Sequence, residues 1–182
     1  MALKLLRTIR LDPSDTFVFD RAAEPGEWAV PGGFRFWDCD PARLDGKARQ
    51  AFRAGFLGLS SFGSSTLAIV TEAREDEREA AVEALARHLL EAHGAPSPQA
   101  ARAAAEEEIA FTASLCDHPP ETLVALHRTV EDGALRERYR TLKPGRRDPD
   151  IQNGAFRAFE FVEVEGEDVE EQVDLMALGK SP

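Results

Sequence analysis

The sequence predicts an α+β fold: a largely antiparallel sheet with an αα-hairpin packed on one face. Three observations carry that prediction. Short runs with period-two alternation sit between turn-forming residues toward both ends of the chain. Two longer segments near the middle carry apolar residues at helical spacing. The dipeptide Asp132-Gly133, favoured in two-residue hairpin turns, separates two strand-like runs.

Residues 5–11 and 16–21 read as strands joined by the turn-rich tetrad Asp12-Pro13-Ser14-Asp15. Period two would direct Phe17 and Phe19 to one face and Val18 to the other. Residues 27–30 and 34–37 read as strand segments on either side of Pro31-Gly32-Gly33. Proline lacks the N–H that a ladder needs, so the break or bulge belongs there. Residues 40–55 read as one short helix with Asp40 as N-cap and Pro41 in its first position. Leu44, Ala48, Ala51 and Phe52 share its inner side, and Lys47, Arg49 and Arg53 face water. A glycine-rich loop holding Gly55, Gly58 and Gly63 leads into an apolar strand at 66–71.

Residues 75–93 form the first long helix, with Val82, Leu85, Ala86, Leu89 and Leu90 as its apolar stripe and Gly94 as its C-cap. Ser97 caps a second helix that starts at Pro98 and runs to about residue 116. Its apolar side holds Ala101, Ala104, Ala105, Ile109, Phe111, Thr112, Leu115 and Cys116. The short loop between them makes the pair an antiparallel αα-hairpin. A turn at Asp132-Gly133 pairs Val130 with Leu135, Arg128 with Glu137 and Leu126 with Tyr139, which puts two apolar pairs and one opposite-charge pair on a single face. A helix over 134–142 is the competing reading, because Leu135, Tyr139 and Leu142 also share a helical side. Residues 155–164 alternate well enough for a last strand. The expected organisation is one domain over 1–165 and a partly flexible acidic tail over 166–182.

With 182 residues, 43% of them hydrophobic, the chain has enough apolar material for one sizeable core. It has no 18-residue apolar run, and its first residues lack the pattern of a secretory signal, so no membrane segment is expected. Cys39 and Cys116 form no disulfide framework, which points to a reducing cytoplasm. A net charge of −11 repels phosphate backbones and anionic lipid. Nucleic acid and membrane surfaces are therefore not expected partners.

The stretch Glu27-Trp28-Ala29-Val30-Pro31-Gly32-Gly33-Phe34 resembles the Trp-x-x-Pro-Gly-Gly run that opens the Nudix hydrolase signature. In that family, glutamates on the following helix hold the metals that activate water. Counting from Gly33 puts Cys39 at the first glutamate position and Lys47 to Phe52 where the Arg-Glu-x-x-Glu-Glu block belongs. The metal-binding carboxylates are missing, so the run reads as structure. The glycine-rich loop lacks the lysine of a P-loop, and a strand follows it instead of a helix. His88 and His93 stand five residues apart, about 140° around a helix, and are not expected to chelate together. Cys116 and His118 supply two of the four ligands a structural zinc would take. Neither a metal nor a cofactor is expected.

Two features remain as candidate sites. Glu108 falls within the apolar arc of the second long helix, where a carboxylate must be paired, hydrogen-bonded, neutral or at a cleft. Pairing with an arginine of the sheet is the structural reading, and a raised-pKa acid or ligand contact is the functional one. The second feature is charge: Arg136, Arg138, Arg140, Lys143, Arg146 and Arg147 lie within twelve residues, and in the hairpin the first three share a face with His127 and Thr129. Their partner is either the segment between 160 and 174, with eight acidic and no basic residues, or another subunit, or an anionic ligand. Trp28 and Trp37, near Arg35, offer a stacking surface or a pair of core anchors.

The N-terminal block from Leu6 to Phe34 resembles that of a small proteobacterial family known only as a domain of unknown function. The resemblance implies a bacterial cytoplasmic protein and transfers no catalytic residue. The leading expectation is a non-catalytic accessory or protein-interaction domain, a homodimer using the charged C-terminal third or a sheet edge. The alternative is a small enzyme or binding protein for an anionic metabolite, using Glu108, His127 and the arginine strip.

Overall fold

The computed structural model describes residues 2–144, 161–163 and 170–173. Its sheet is antiparallel throughout, with strands in the order β4-β3-β2-β1-β5-β6-β7-β8 and β9 also paired to β7. The strands are β1 (Lys4–Ile9), β2 (Trp28–Val30), β3 (Phe56–Gly58), β4 (Ser64–Ser65), β5 (Leu67–Glu72), β6 (Leu123–Glu131), β7 (Ala134–Pro144), β8 (Phe161–Glu163) and β9 (Glu170–Val173). Four helices accompany them: α1 (Ser14–Val18), α2 (Gly46–Ala54), α3 (Glu75–Ala92) and α4 (Pro98–Ser114). The first four strands run outward to one edge, and β5 then returns to the free side of β1. The α3–α4 hairpin is inserted before β6, and β6 continues the sheet from β5.

Alternation on β1, β2 and β3 feeds two apolar clusters. Leu5, Val30 and Leu57 meet Val82, Leu85, Leu89, Ala101, Ala105 and Ile109 of the helical hairpin. Leu6, Ala29 and Phe56 join Ala68, Val70, Val124, Leu126 and Tyr139, with Leu115 and Cys116 closing that cluster just past α4. These short strands are thus covered on both faces. Each fully buried Leu or Val there contributes about 1.5–3 kcal/mol relative to exposure.

Both long helices form where the apolar period places them. Ser97 Oγ accepts the Ala100 N–H at 3.1 Å, and Pro98 opens α4. Glu75, Asp76 and Glu77 put negative charge at the positive end of α3, and Gly94 leaves the helix with φ +68°. Leu90 is 39% exposed, whereas Ala81 is buried, so the stripe is rotated slightly from the expected one. The β6–β7 hairpin has the predicted register, with Val130 opposite Leu135, Arg128 opposite Glu137 and Leu126 opposite Tyr139. The competing helix over 134–142 does not form.

Three local expectations are overturned. Residues 14–18 are a helical turn, not part of a strand, because Asp15 turns inward and accepts from the backbone and hydroxyl of Thr66 at 3.1 and 2.6 Å. Phe17 is consequently exposed while Phe19 is buried, where alternation had put them together. Residues 33–36 form a 3-10 turn instead of a strand, since Gly32 adopts φ +70° and Arg35 N–H closes back on its carbonyl at 3.2 Å. The single helix expected over 40–55 is divided into a 3-10 turn at Pro41–Arg43, capped by Asp40 on Ala42 N–H, and α2. Of the last expected strand, 161–163 are strand and pair with β7, while 155–160 and 164 lie outside the described residues. Within the segment expected as a tail, 170–173 also pair with β7.

Candidate functional site: the cleft between the helical hairpin and the Pro-Gly-Gly turn

The site is built on the inner face of the β6–β7 hairpin. Arg128 and Glu137, opposite each other in register, are 0% and 1% exposed, and Arg128 Nε donates to Glu137 Oε1 at 2.7 Å. A charge pair so deep is stable only if the remaining donors are satisfied. They are: Arg128 also donates to the carbonyls of Pro31 at 2.8 Å and Phe52 at 2.7 Å, and the Tyr139 hydroxyl donates to Glu137 Oε2. Burial, and then the Glu137 charge, push the Tyr139 phenol well above its ordinary pKa, which keeps it a donor.

The Pro31-Gly32-Gly33 turn docks onto this pair. A Cβ on Gly33 would lie 2.4 Å from Glu137 Oε1 and 3.0 Å from Leu135, so no other residue fits without movement. Gly32 accepts from Arg35 Nε at 3.0 Å, and Arg35 reaches on to Ser64 Oγ and the Gly55 carbonyl. Burial and the nearby Arg128 guanidinium lower Arg35 to about 9, which leaves it charged at neutral pH. The Gly32 N–H in turn donates to Glu108 Oε1 at 2.9 Å, joining the turn to α4.

Glu108 is half-buried, and among the described residues its other oxygen makes no hydrogen bond. It lies on a cleft of about 330 Å³ between α3, α4 and the turn. Phe34, Trp37, Leu89, Phe111 and Leu135 are among the residues of its wall. Burial is the main cause that raises the Glu108 carboxyl to about 7; the Gly32 hydrogen bond, Arg128 and Arg35 oppose the shift, and the Glu137 charge adds to it. Glu107 and Glu137 also line the cleft, and among the described residues no lysine or arginine does.

A model described as a family of unknown function (DUF6505) matches residues 1–170. The chain belongs to the DUF6505 family. No curated protein and no solved structure matches it. The resemblance carried by the N-terminal block therefore extends over nearly the whole of this DUF6505 chain.

The residues singled out in the sequence do not converge. Glu108 and Trp37 share the cleft. His127, Arg136, Arg138 and Arg140 alternate with Arg128, Glu137 and Tyr139 along β6 and β7 and so occupy the opposite face. Arg136 pairs with Glu131 at 2.7 Å, while His127, Arg138 and Arg140 are exposed. Trp28 lies beneath the Arg7 guanidinium, 3.7 Å from ring to carbon, and does not line the cleft. Arg35 turns to Gly32, Ser64 and Gly55, and its guanidinium carbon lies 4.9 Å from the centre of the Phe36 ring. Glu108 itself takes the Gly32 N–H instead of a sheet arginine as its hydrogen-bond partner. Cys116 is buried, its Sγ donates to the Thr112 carbonyl at 3.3 Å, and burial pushes its thiol up to about 12, which makes it a poor nucleophile.

The histidine pair departs from expectation. His93 leaves helical geometry at the end of α3, with φ −122° and ψ 13°, and its Nε2 comes within 3.2 Å of His88 Nε2. The 140° separation that a continuous helix imposes no longer applies. Phe62 stacks on His88, and Phe34 meets His93 edge-on. Burial lowers the pKa of both rings, and Arg35 adds to the shift. Among the described residues no three His, Cys, Asp or Glu side chains are grouped to hold a metal ion. The Arg128–Glu137 pair and the Gly32 contact were the functional signals least visible beforehand. Their traces in the sequence were the in-register opposite charges at 128 and 137 and the place of Glu108 on an apolar arc.

Proposed function

We propose that this protein is a non-catalytic accessory domain that binds a small guest in the cleft bounded by Phe34, Trp37, Glu108 and Phe111. The observation that carries this reading is Glu108, a carboxylate with one unused oxygen on an apolar cleft. A volume of about 330 Å³ suits a small ligand, and a few placed polar groups in an apolar wall are the usual composition of such sites.

A carboxyl near neutrality is also what a general acid or base requires. Catalysis would further need a donor to stabilise charge as it develops. Each guanidinium nitrogen of Arg35 and Arg128 already donates to a backbone carbonyl, Ser64 or Glu137, and the Tyr139 hydroxyl donates to Glu137. Binding without chemistry is the simpler use of that arrangement.

The test is an amide-resolved NMR titration with a panel of small aromatic and aliphatic fragments. Perturbations are expected at Phe34, Trp37, Leu89 and Phe111, and Ala104→Trp, which fills the cleft from an exposed helix position, should abolish them. Perturbations confined to His127, Arg138 and Arg140 would overturn this reading and favour an anion site on the outer face.

A further inference from the structure

We infer that the guest of the cleft is a small organic ammonium ion with an aromatic or similarly apolar body. This inference rests on the cleft being the binding site. Its first support is the sign of charge: Glu107, Glu108 and Glu137 line the cleft, while among the described residues no lysine or arginine does. Arg35 and Arg128 do not line the cleft, each of their guanidinium nitrogens already donates a hydrogen bond, and Glu137 is engaged by Arg128 and Tyr139. Glu107 is exposed, so Glu108 is the half-buried carboxyl left to receive a charged head, through the oxygen that Gly32 does not use. Among the described residues an anion would face these carboxylates with no lysine or arginine to offset them.

The second support is the wall itself. Phe34, Trp37 and Phe111 present aromatic surface beside Glu108, and aromatic faces attract cations as well as apolar rings. Trp37 is 41% exposed and lines the cleft, so its ring is accessible to a guest. His93, the remaining ionisable group of the lining, stays neutral at pH 7 because burial and Arg35 lower its pKa, so it does not repel a cation.

Binding should be linked to protons. Arg35, Arg128 and the Gly32 N–H favour the Glu108 carboxylate, whereas burial and Glu137 oppose it. A bound ammonium adds to the favouring side and expels the proton that Glu108 holds near pH 7. Affinity should then rise about tenfold from pH 6 to pH 8, as the ionised fraction grows.

The experiment is calorimetric titration with 2-phenylethylamine, 2-phenylethanol and 3-phenylpropanoate, which share a body and differ in head charge. At pH 8 the amine is expected to bind at least tenfold more tightly than the other two. At pH 7 its heat should depend on the buffer's ionisation enthalpy, as proton release requires. Glu108→Gln keeps an oxygen for the Gly32 N–H, so it is expected to fold as the natural protein does, as circular dichroism would verify, yet lose at least tenfold in amine affinity. Equal binding of the three probes, or unchanged amine affinity in E108Q, overturns the ammonium assignment and leaves the cleft as a neutral-ligand site. No binding by any of them at millimolar concentration, or binding that Ala104→Trp leaves intact, overturns the cleft reading as well. Nα-acetyllysine amide, which carries the same head on an aliphatic stem, should bind at least tenfold more weakly than 2-phenylethylamine. Equal affinity would make the guest a partner protein's lysine and overturn the small-molecule assignment.

Discussion

The two faces of the β6–β7 hairpin both carry charged residues and treat them in opposite ways. On the inner face, Arg128 and Glu137 are sealed from water, and their hydrogen bonds tie together the Pro31-Gly32-Gly33 turn, the end of α2 and Tyr139. On the outer face, His127, Arg138 and Arg140 remain exposed, and Glu170 of β9 stands opposite Arg138 in register. Successive residues of one strand thus differ in what their charge does. Inside, charge fixes the geometry of a cleft; outside, Arg136 pairs with Glu131, and the pairing of exposed charges is screened by salt. The distinction follows from what covers each face and not from the residues' identities.

The largest break in that comparison should come from Arg128→Met. It removes the cation and leaves Glu137 buried with one fewer donor, a change that costs about 3–5 kcal/mol when a buried pair loses one member. Urea denaturation measures it. The double variant Arg128→Met, Glu137→Leu should recover part of the loss, because no unpaired charge remains inside. A single variant that unfolds within 1 kcal/mol of the natural protein would mean that the pair does not organise the core, taking "about 1 kcal/mol" as the range of an exposed ion pair.

Much of the fold was legible because it is set locally. The Asp132-Gly133 turn fixes the β6–β7 register, and the apolar stripe of residues 82, 85 and 89 with the Ser97-Pro98 cap fixes the helical hairpin. The failures came where distant groups decide. Residues 14–18 alternate like a strand, but Asp15 bonds to Thr66, 51 positions away. His93 reaches His88 only because the helix ends there. The position of Glu108 on an apolar arc was readable, yet its partner was not, since the Gly32 N–H is 76 positions away and belongs to a turn that the Nudix-like run disguised as a motif. The opposite charges at 128 and 137 were visible as a pair. Their burial was not, because the carbonyls of Pro31 and Phe52 that make it tolerable come from other elements.

The next effect in size belongs to Glu108 and concerns pH. Its folded value of about 7 stands above the 4.5 of an ordinary glutamyl side chain, so the folded state holds the proton more tightly. The stability this confers is complete below pH 4.5, is lost as pH rises from there to about 7, and does not change further above that. Glutamine has no such dependence. The stability of E108Q relative to the natural protein should therefore increase across this window by up to about 3 kcal/mol, an upper bound because the carboxyl retains access to water through the cleft. Denaturation series at pH 4.5, 6, 7 and 8 would show it, and parallel profiles would remove Glu108 from the electrostatics of the inner face.

Gly33→Ala tests the packing of the turn on the pair without altering a charge. The added methyl would meet Glu137 Oε1 at 2.4 Å and Leu135 at 3.0 Å. Moving Glu137 disturbs its hydrogen bond from Arg128, and overpacking of this kind costs about 1–3 kcal/mol. The same change should displace Phe34 and Glu108 at the cleft, so probe binding should weaken along with stability. Full stability with intact binding would mean that the turn has room the geometry denies it.

The smallest expected effect completes the contrast. Arg138 is exposed one residue from the buried Glu137, and Arg138→Ala leaves the inner hydrogen bonds and the cleft untouched. Exposed substitutions away from caps and cores usually change stability little, which for a chain of this size is a melting-temperature shift below about 2 °C. What shift there is should shrink further in 0.5 M salt, taken as roughly several times the ionic strength at which exposed charges begin to be screened. Arg128→Met should keep its full effect at that salt concentration, since its partner is out of reach of ions. If Arg138→Ala instead produced a large, salt-insensitive loss, the outer face would hold charge as tightly as the inner one, and the difference in function drawn between them would fall with it.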